Sequence, residues 1–108
     1  MRFDLRFTAG AERDLEEIHD YIAHSDSLAS ADYVLDQLQK ICSDLLSLPN
    51  RGAYPPALIA LGIRDYRQVA FKPYLVVYRV VDRTVFIHLV ADSRRDMQSL
   101  LARRLLAG

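Results

Sequence analysis

The apolar residues of this chain change their period once, and the change orders its parts. Before Pro49 they recur at helical three- and four-residue spacing; after Arg64 they alternate every second residue. A short alternating stretch precedes both, in which Phe3, Leu5 and Phe7 are separated by Asp4 and Arg6, the pattern of a strand with one buried face. Thr8 can cap a helix over roughly 9–24, whose apolar stripe is Ala11, Leu15, Ile18 and Ile22. Its early turns hold Glu12, Asp14, Glu16 and Glu17, where the exposed amides and the helix dipole favour negative charge. Asp26 or Ser27 can cap a second helix, with Ala31, Val34, Leu35, Leu38, Ile41, Leu45 and Leu48 in period until Pro49 ends it. So short a connection predicts an antiparallel helical hairpin.

Pro49-Asn50-Arg51-Gly52 is turn chemistry, and the stretch to Gly62, with Pro55 and Pro56, reads as a surface loop. Strands are predicted near 64–71, 74–81 and 84–91, joined at Lys72-Pro73 and Asp82-Arg83, which makes an antiparallel meander. After Asp92, Met97, Leu100, Leu101 and Leu105 lie on one side of a terminal helix, with Ser93 as its expected cap. The predicted fold is α+β in the order βααβββ(α), a helical hairpin on an antiparallel sheet, with residues 1–108 forming a single domain.

The central strands are apolar on both faces. Tyr74, Val76, Tyr78 and Val80 oppose Leu75, Val77 and Val81, and Val85, Ile87 and Leu89 oppose Phe86 and Val90. One hairpin covers one face. The other needs the terminal helix, a second copy or a separate chain.

The formal net charge of zero conceals a division. Residues 1–62 carry five Lys/Arg against ten Asp/Glu, and 63–108 carry nine against four, so the halves stand at −5 and +5. A single cysteine, Cys42, leaves no internal disulfide, and the MRFDLRF start lacks the apolar run of a signal peptide or membrane span, so a cytoplasmic protein is expected. Cys42 lies between Ile41 and Leu45 and reads as a small core residue. His19 and His24 have acidic neighbours and read as surface residues, and His88, mid-strand, as a partly buried structural one. No His/Cys spacing resembles a metal site, and no cofactor is expected.

Ala11-x-x-Asp14-Leu15-x-x-Ile18-x-x-Tyr21-Ile22, a long second helix ending at Leu48-Pro49-x-x-Gly52, then Gly62-Ile63-Arg64, Tyr74-x-x-x-Tyr78-Arg79 and Ser93-Arg94-Arg95-Asp96 together resemble the RelE/ParE toxin superfamily, closest to its ParE, or plasmid-stabilisation, branch. The resemblance spans nearly the whole chain. It implies the toxin of a type II toxin–antitoxin pair, neutralised by a cognate antitoxin in a hetero-oligomer. It also implies one of two targets. RelE-like members cut messenger RNA on the ribosome with basic groups and a histidine or tyrosine near the C-terminus; ParE-like members poison DNA gyrase by binding it.

Metal-free RNA cleavage needs a proton acceptor, cations for the phosphorane and a proton donor. The cations are present as Arg64, Arg67, Arg79, Arg94 and Arg95 on or beside the predicted sheet, with Lys72 in a turn. The C-terminal proton carrier is missing, since no His or Tyr follows Asp92. Only Asp92 or His88 could improvise one. The arginines are therefore expected to bind an acidic partner, gyrase being the target that the resemblance implies. Leu75, Val77, Arg79 and Val81, on the surplus sheet face, are the expected antitoxin contacts. Tyr54 and Tyr66 fall where stacking is plausible, while Tyr21, Tyr33, Tyr74 and Tyr78 are expected to pack.

Overall fold

The first strand, β1 (Asp4–Phe7), leads directly into α1 (Ala9–Ser25) in a computed structural model that describes residues 2–106. The Thr8 hydroxyl accepts the Ala11 amide at 3.1 Å and so caps α1. Ser27 caps α2 (Leu28–Asp44) in the same way, accepting the Ser30 amide at 3.0 Å. The period had predicted that α2 continues to Pro49. Instead the chain tightens after Asp44 into three-residue bonds, Leu45 N to Cys42 O at 3.2 Å and Leu46 N to Ser43 O at 3.0 Å, and Leu48 points to solvent.

The stretch expected to be a loop contains a short helix, α3 (Pro56–Ile59). Pro56 stands at its first turn, where a missing amide costs nothing. Gly62 ends it at φ 76°, with the Gly62 amide bonded to Ile59 O at 2.8 Å and the Ile63 amide to Leu58 O at 2.9 Å. That pair of bonds is a Schellman motif, and Leu58 and Ile63 supply its apolar contact.

β2 (Arg67–Phe71), β3 (Tyr74–Val81) and β4 (Thr84–Asp92) form the antiparallel meander, in the sheet order β1-β4-β3-β2. β1 joins parallel to β4, from Asp4 opposite Thr84 to Phe7 opposite Ile87, so the sheet is mixed. A parallel neighbour needs a long crossover, and the helical hairpin is that crossover: it carries the chain to the far edge, from which the meander builds back to β1.

One residue breaks the meander's register. Tyr78 lies opposite Ile87 but Val77 lies opposite Leu89, which leaves His88 as the extra residue of a β-bulge. The bulge turns Leu89 to the other side from Ile87, against the simple alternation expected for β4. Val76, Tyr78, Val85, Ile87 and Val90 consequently face the hairpin, packed on Ala11, Leu15, Leu38, Cys42 and Leu45. Val77, Leu89 and Ala91 face the opposite side.

That opposite side was expected to need covering from somewhere. The chain covers its centre itself, with Leu58 of α3, Tyr66, and Leu100 and Leu101 of α4 (Met97–Leu101). Val77 and Leu89 are both 0% exposed, so Val77 cannot be a surface contact in the free chain. α4 is capped by Asp96, whose carboxylate accepts the Ser99 amide at 3.2 Å and the Ser99 hydroxyl at 2.8 Å. Ser93, the expected cap, instead gives its amide to Pro73 O at 2.8 Å and ties β4 to the β2–β3 turn.

A π-helical turn, Ala102–Leu106, follows α4 and brings Arg104 back to α1. β1 stops at Phe7 while β4 continues, so the edge of β4 at His88–Val90 has no neighbouring strand among the described residues. Side chains take its place. Asp14 Oδ2 accepts the Val90 amide at 3.0 Å, and His88 O accepts from Arg104 Nη2 at 3.2 Å and from the Thr8 hydroxyl at 3.4 Å. Arg104 and Asp14 are joined by two parallel bonds of 3.0 Å, with side-chain exposures of 25% and 12%. Gly10 makes room for this pair, since a Cβ there would lie 2.6 Å from Arg104 Nη2.

Replacing Asp14 with Ala strands both the Val90 amide and the Arg104 guanidinium. Such losses at a mostly buried pair cost about 2–3 kcal/mol. Urea unfolding of D14A should show a midpoint lowered accordingly at unchanged slope, and an unmoved midpoint would mean that water replaces the pair without loss.

Candidate functional site

β2 begins at Arg67, opposite Tyr78, so β3 runs on past it with Arg79 and Val80 unpaired on that side. A cleft of about 280 Å³ opens there, lined by Asn50, Arg64, Asp65, Arg67, Arg79 and Val80 above the Tyr78 ring. Its rear wall is the Pro49–Gly52 turn, which Tyr78 staples to the sheet. The Tyr78 hydroxyl donates to Pro49 O at 2.7 Å and accepts the Gly52 amide at 3.0 Å, and burial pushes that hydroxyl's pKa above the usual tyrosine value. Gly52 has to be glycine here. An added Cβ would lie 2.7 Å from the Tyr78 oxygen and 2.8 Å from Gln68 O.

Three arginines line this cleft on aromatic supports. Arg67 donates to Gly52 O at 2.9 Å and to the Tyr54 hydroxyl at 3.1 Å, and its guanidinium carbon lies 4.5 Å from the centre of the Tyr54 ring. Arg64, in the loop before β2 rather than on a strand, approaches the same ring at 5.6 Å. Arg79 lies 5.8 Å from the centre of Tyr66. Cation–π contact holds an arginine in place while leaving its outward donors free. None of the three forms a salt bridge among the described residues. The cleft thus presents a net positive charge, three fixed guanidinium groups against the one Asp65 carboxylate.

The other two arginines expected in this patch lie elsewhere. Asp92 pairs with Tyr74 at the opposite end of β3 from Arg79, and Arg94 and Arg95 follow it in the turn after β4. Arg94 is already occupied, donating from Nε and from its amide to Asp92 Oδ1 at 2.9 Å each. Those bonds hold the Asp92 carboxyl down at about 2, so it stays ionised at neutral pH and remote from the cleft. Arg95 is exposed. The single basic surface read from the sequence is two surfaces.

His88 stands beside the cleft. Its ring meets the Tyr66 ring edge-on at 5.3 Å and 85°, and burial, then the charges of Arg79 and Arg104, push its pKa below 6.5. The imidazole is neutral at pH 7. Cys42 is buried with its thiol pushed up to about 12, which removes it as a nucleophile. His19 bonds Asp32 at 2.7 Å and His24 bonds Asp20 O at 2.7 Å, and no cluster suited to a metal occurs among the described residues. Of the expected antitoxin contacts, Arg79 and Val81 are exposed, Leu75 is half-buried and Val77 is sealed. Tyr54 and Tyr66 do stack, whereas Tyr21 and Tyr33, expected to pack, are 72% and 58% exposed. Sequence reasoning gave no sign that Asn50 and Asp65 line the cleft, because the loops that bring them there have no period.

Residues 5–97 match the model of the ParE toxin of the type II toxin–antitoxin system parDE. No curated protein matches the chain. Among solved structures, it is similar to the chromosomal ParDE toxin–antitoxin system from P. aeruginosa, with a TM-score of 0.70 at 20% identity over 83% of this chain and 95% of that one. It is also similar to the RelBE2 toxin–antitoxin complex from Mycobacterium tuberculosis, with a TM-score of 0.61 at 22% identity over 85% and 99%. A free-state mutant of the E. coli toxin RelE gives 0.61 at 23% identity over 97% and 99%. At such identities these likenesses establish the shared fold. The family match, which runs from β1 to the first turn of α4, goes further: the chain belongs to the ParE toxin family of type II toxin–antitoxin systems.

Proposed function

We propose that this ParE-family toxin acts in the cytoplasm by binding a protein target, DNA gyrase, and that a cognate antitoxin silences it by covering its arginine surface. The observation that carries this reading is the cleft of Arg64, Arg67 and Arg79, stacked on Tyr54 and Tyr66 and free of salt bridges among the described residues. Arginine and tyrosine held rigid beforehand are the residues that dominate protein interfaces, because little conformational freedom is lost when they bind. Leu75 and Val81 flank Arg79 on the same face of β3 and extend the surface toward the antitoxin.

Catalysis of RNA cleavage is less well served. Asp92 is tied to Arg94 away from the cleft, and no His or Tyr follows it in the chain. One observation favours the second reading, a RelE-like ribosome-dependent endoribonuclease: the neutral His88 ring near Arg79 could take a proton from a 2′-hydroxyl. A lowered pKa makes it a weaker base than free histidine, and its stacking on Tyr66 limits its reach.

In a supercoiling assay, the purified chain should inhibit gyrase, and Arg79→Glu should weaken inhibition by about tenfold or more, the scale of an interface arginine reversed in charge. Intact inhibition by R79E would move the target surface elsewhere, and wild-type toxin without effect on gyrase would exclude that target. NMR titration of the His88 ring should give a midpoint below 6.5. With the folded midpoint depressed, the unfolded chain binds the proton more tightly, so this residue's share of stability is complete above 6.5 and falls as pH drops below it. A midpoint above 6.5, or message cleavage abolished by His88→Gln, would favour the nuclease.

A further inference from the structure

Tyr78 lies wholly inside the fold at 0% exposure, so a partner entering the arginine cleft does not touch it. Its hydroxyl nevertheless sits directly behind that cleft, between two backbone groups of the Pro49–Gly52 turn. Gly52 is buried, and its amide has the Tyr78 oxygen as its acceptor at 3.0 Å. Burial raises the pKa of the hydroxyl, which therefore keeps the proton it donates to Pro49 O at neutral pH. A buried amide cannot give up its acceptor without moving to find another. The seat of the turn is set by one oxygen atom on β3, with the Ala53–Gln68 bridge, one residue on, as the next backbone tie to the sheet.

The turn holds the cations as well. Gly52 O accepts from Arg67 Nη1 at 2.9 Å, and Arg67 Nη2 reaches the Tyr54 hydroxyl at 3.1 Å, which leaves the guanidinium's remaining donors for a partner. Tyr54 follows Gly52 by two residues and supports both arginines, Arg67 at 4.5 Å and Arg64 at 5.6 Å from its ring centre. Asn50 lies within the turn and lines the cleft too. A displaced turn would carry Gly52 O, Tyr54 and Asn50 with it and release Arg67 and Arg64 together. Arg79 stands apart from this chain of contacts. Its side chain is on the opposite face of β3 from Tyr78 and rests on Tyr66 at 5.8 Å.

We infer that Tyr78 is the positioning residue of the arginine cleft: its hydroxyl fixes the Pro49–Gly52 turn, and through Gly52 O and Tyr54 the turn sets the direction in which Arg67 and Arg64 present their donors. This rests on the reading of the cleft as the target surface, and it divides that surface in two. Arg64 and Arg67 form a half aimed by the turn; Arg79 forms a half aimed by the sheet and Tyr66. Bidentate pairing with a carboxylate of the target demands such aiming, since one planar fork has to satisfy both bonds. Affinity then depends on an atom the target never meets, because donors aimed beforehand lose less freedom on binding.

Tyr78→Phe removes the oxygen and keeps the ring. In the supercoiling assay this variant, folded by circular dichroism, should inhibit gyrase about fivefold more weakly than the wild-type chain. Its effect should shrink to about twofold or less in an Arg67→Ala background and persist in full in an Arg79→Glu background, whereas a general loss of stability would lower inhibition by the same factor in both. The NMR signal of the Arg67 Nε–H group reads the positioning without any target: it should shift and exchange faster with water in Tyr78→Phe. Should that variant fail to fold, Gly52→Ala attacks the same bond from the turn side, its Cβ lying 2.7 Å from the Tyr78 oxygen, and should move the Arg67 signal likewise. Wild-type inhibition, an unmoved Arg67 signal or equal losses in the two backgrounds would overturn the inference. A wild-type chain without effect on gyrase would remove the target reading instead, and the Arg67 signal would still decide whether Tyr78 aims the cleft.

Discussion

Two parallel bonds between Asp14 and Arg104 hold together parts of the chain that have no other reason to meet. β1 is four residues long and β4 is nine, so the sheet runs past its edge strand and leaves backbone groups open. An open edge within the body of a protein has to be satisfied or it becomes a site of misassembly. The Asp14 carboxylate takes the open amide, Arg104 takes the open carbonyl, and the two satisfy each other. Through this arrangement α1 is fixed to one side of the sheet and the C-terminal turn to the other. With the terminal turn held, Leu100 and Leu101 stay on Val77 and Leu89, and the second face remains closed.

The bulge at His88 belongs to the same device. An extra residue in β4 shifts Leu89 onto the second face, where α4 needs an apolar floor, and presents the His88 carbonyl to Arg104. It also sets the His88 ring against Tyr66, the ring beneath Arg79. Closure of the fold and the shape of the arginine cleft are thus joined through one residue. Closure leaves Arg64, Arg67 and Arg79 in the cleft without salt bridges among the described residues.

Periodicity carried much of this architecture. The caps at Thr8 and Ser27, the hairpin and the meander were all legible, because each follows from local rules. The parallel placement of β1 was not, since alternation in Phe3, Leu5 and Phe7 says which face is buried but not which strand lies alongside. The bulge was invisible for a related reason: an extra residue within an apolar run leaves no gap in the pattern. α3 was hidden by its prolines, although Pro56 at its start and Gly62 after its end are the asymmetric signature of a helix. Asp14 was read as a response to the helix dipole. Its position three residues after Ala11 and four before Ile18 puts it on the buried stripe, and a carboxylate there demands a partner. Of the five arginines, Arg67 and Arg79 come together because the β2–β3 register sets Arg67 beside Tyr78, and Arg64 joins them from the loop before β2, which sequence spacing could not supply.

The central claim is that this chain is a toxin whose exposed surface is dangerous until another protein covers it. Growth after induction of the chain alone, compared with growth when the adjacent short reading frame is induced with it, tests that claim most directly. The account predicts arrest by the lone chain and recovery with the pair. Cells that tolerate the unaccompanied chain at full expression would contradict it.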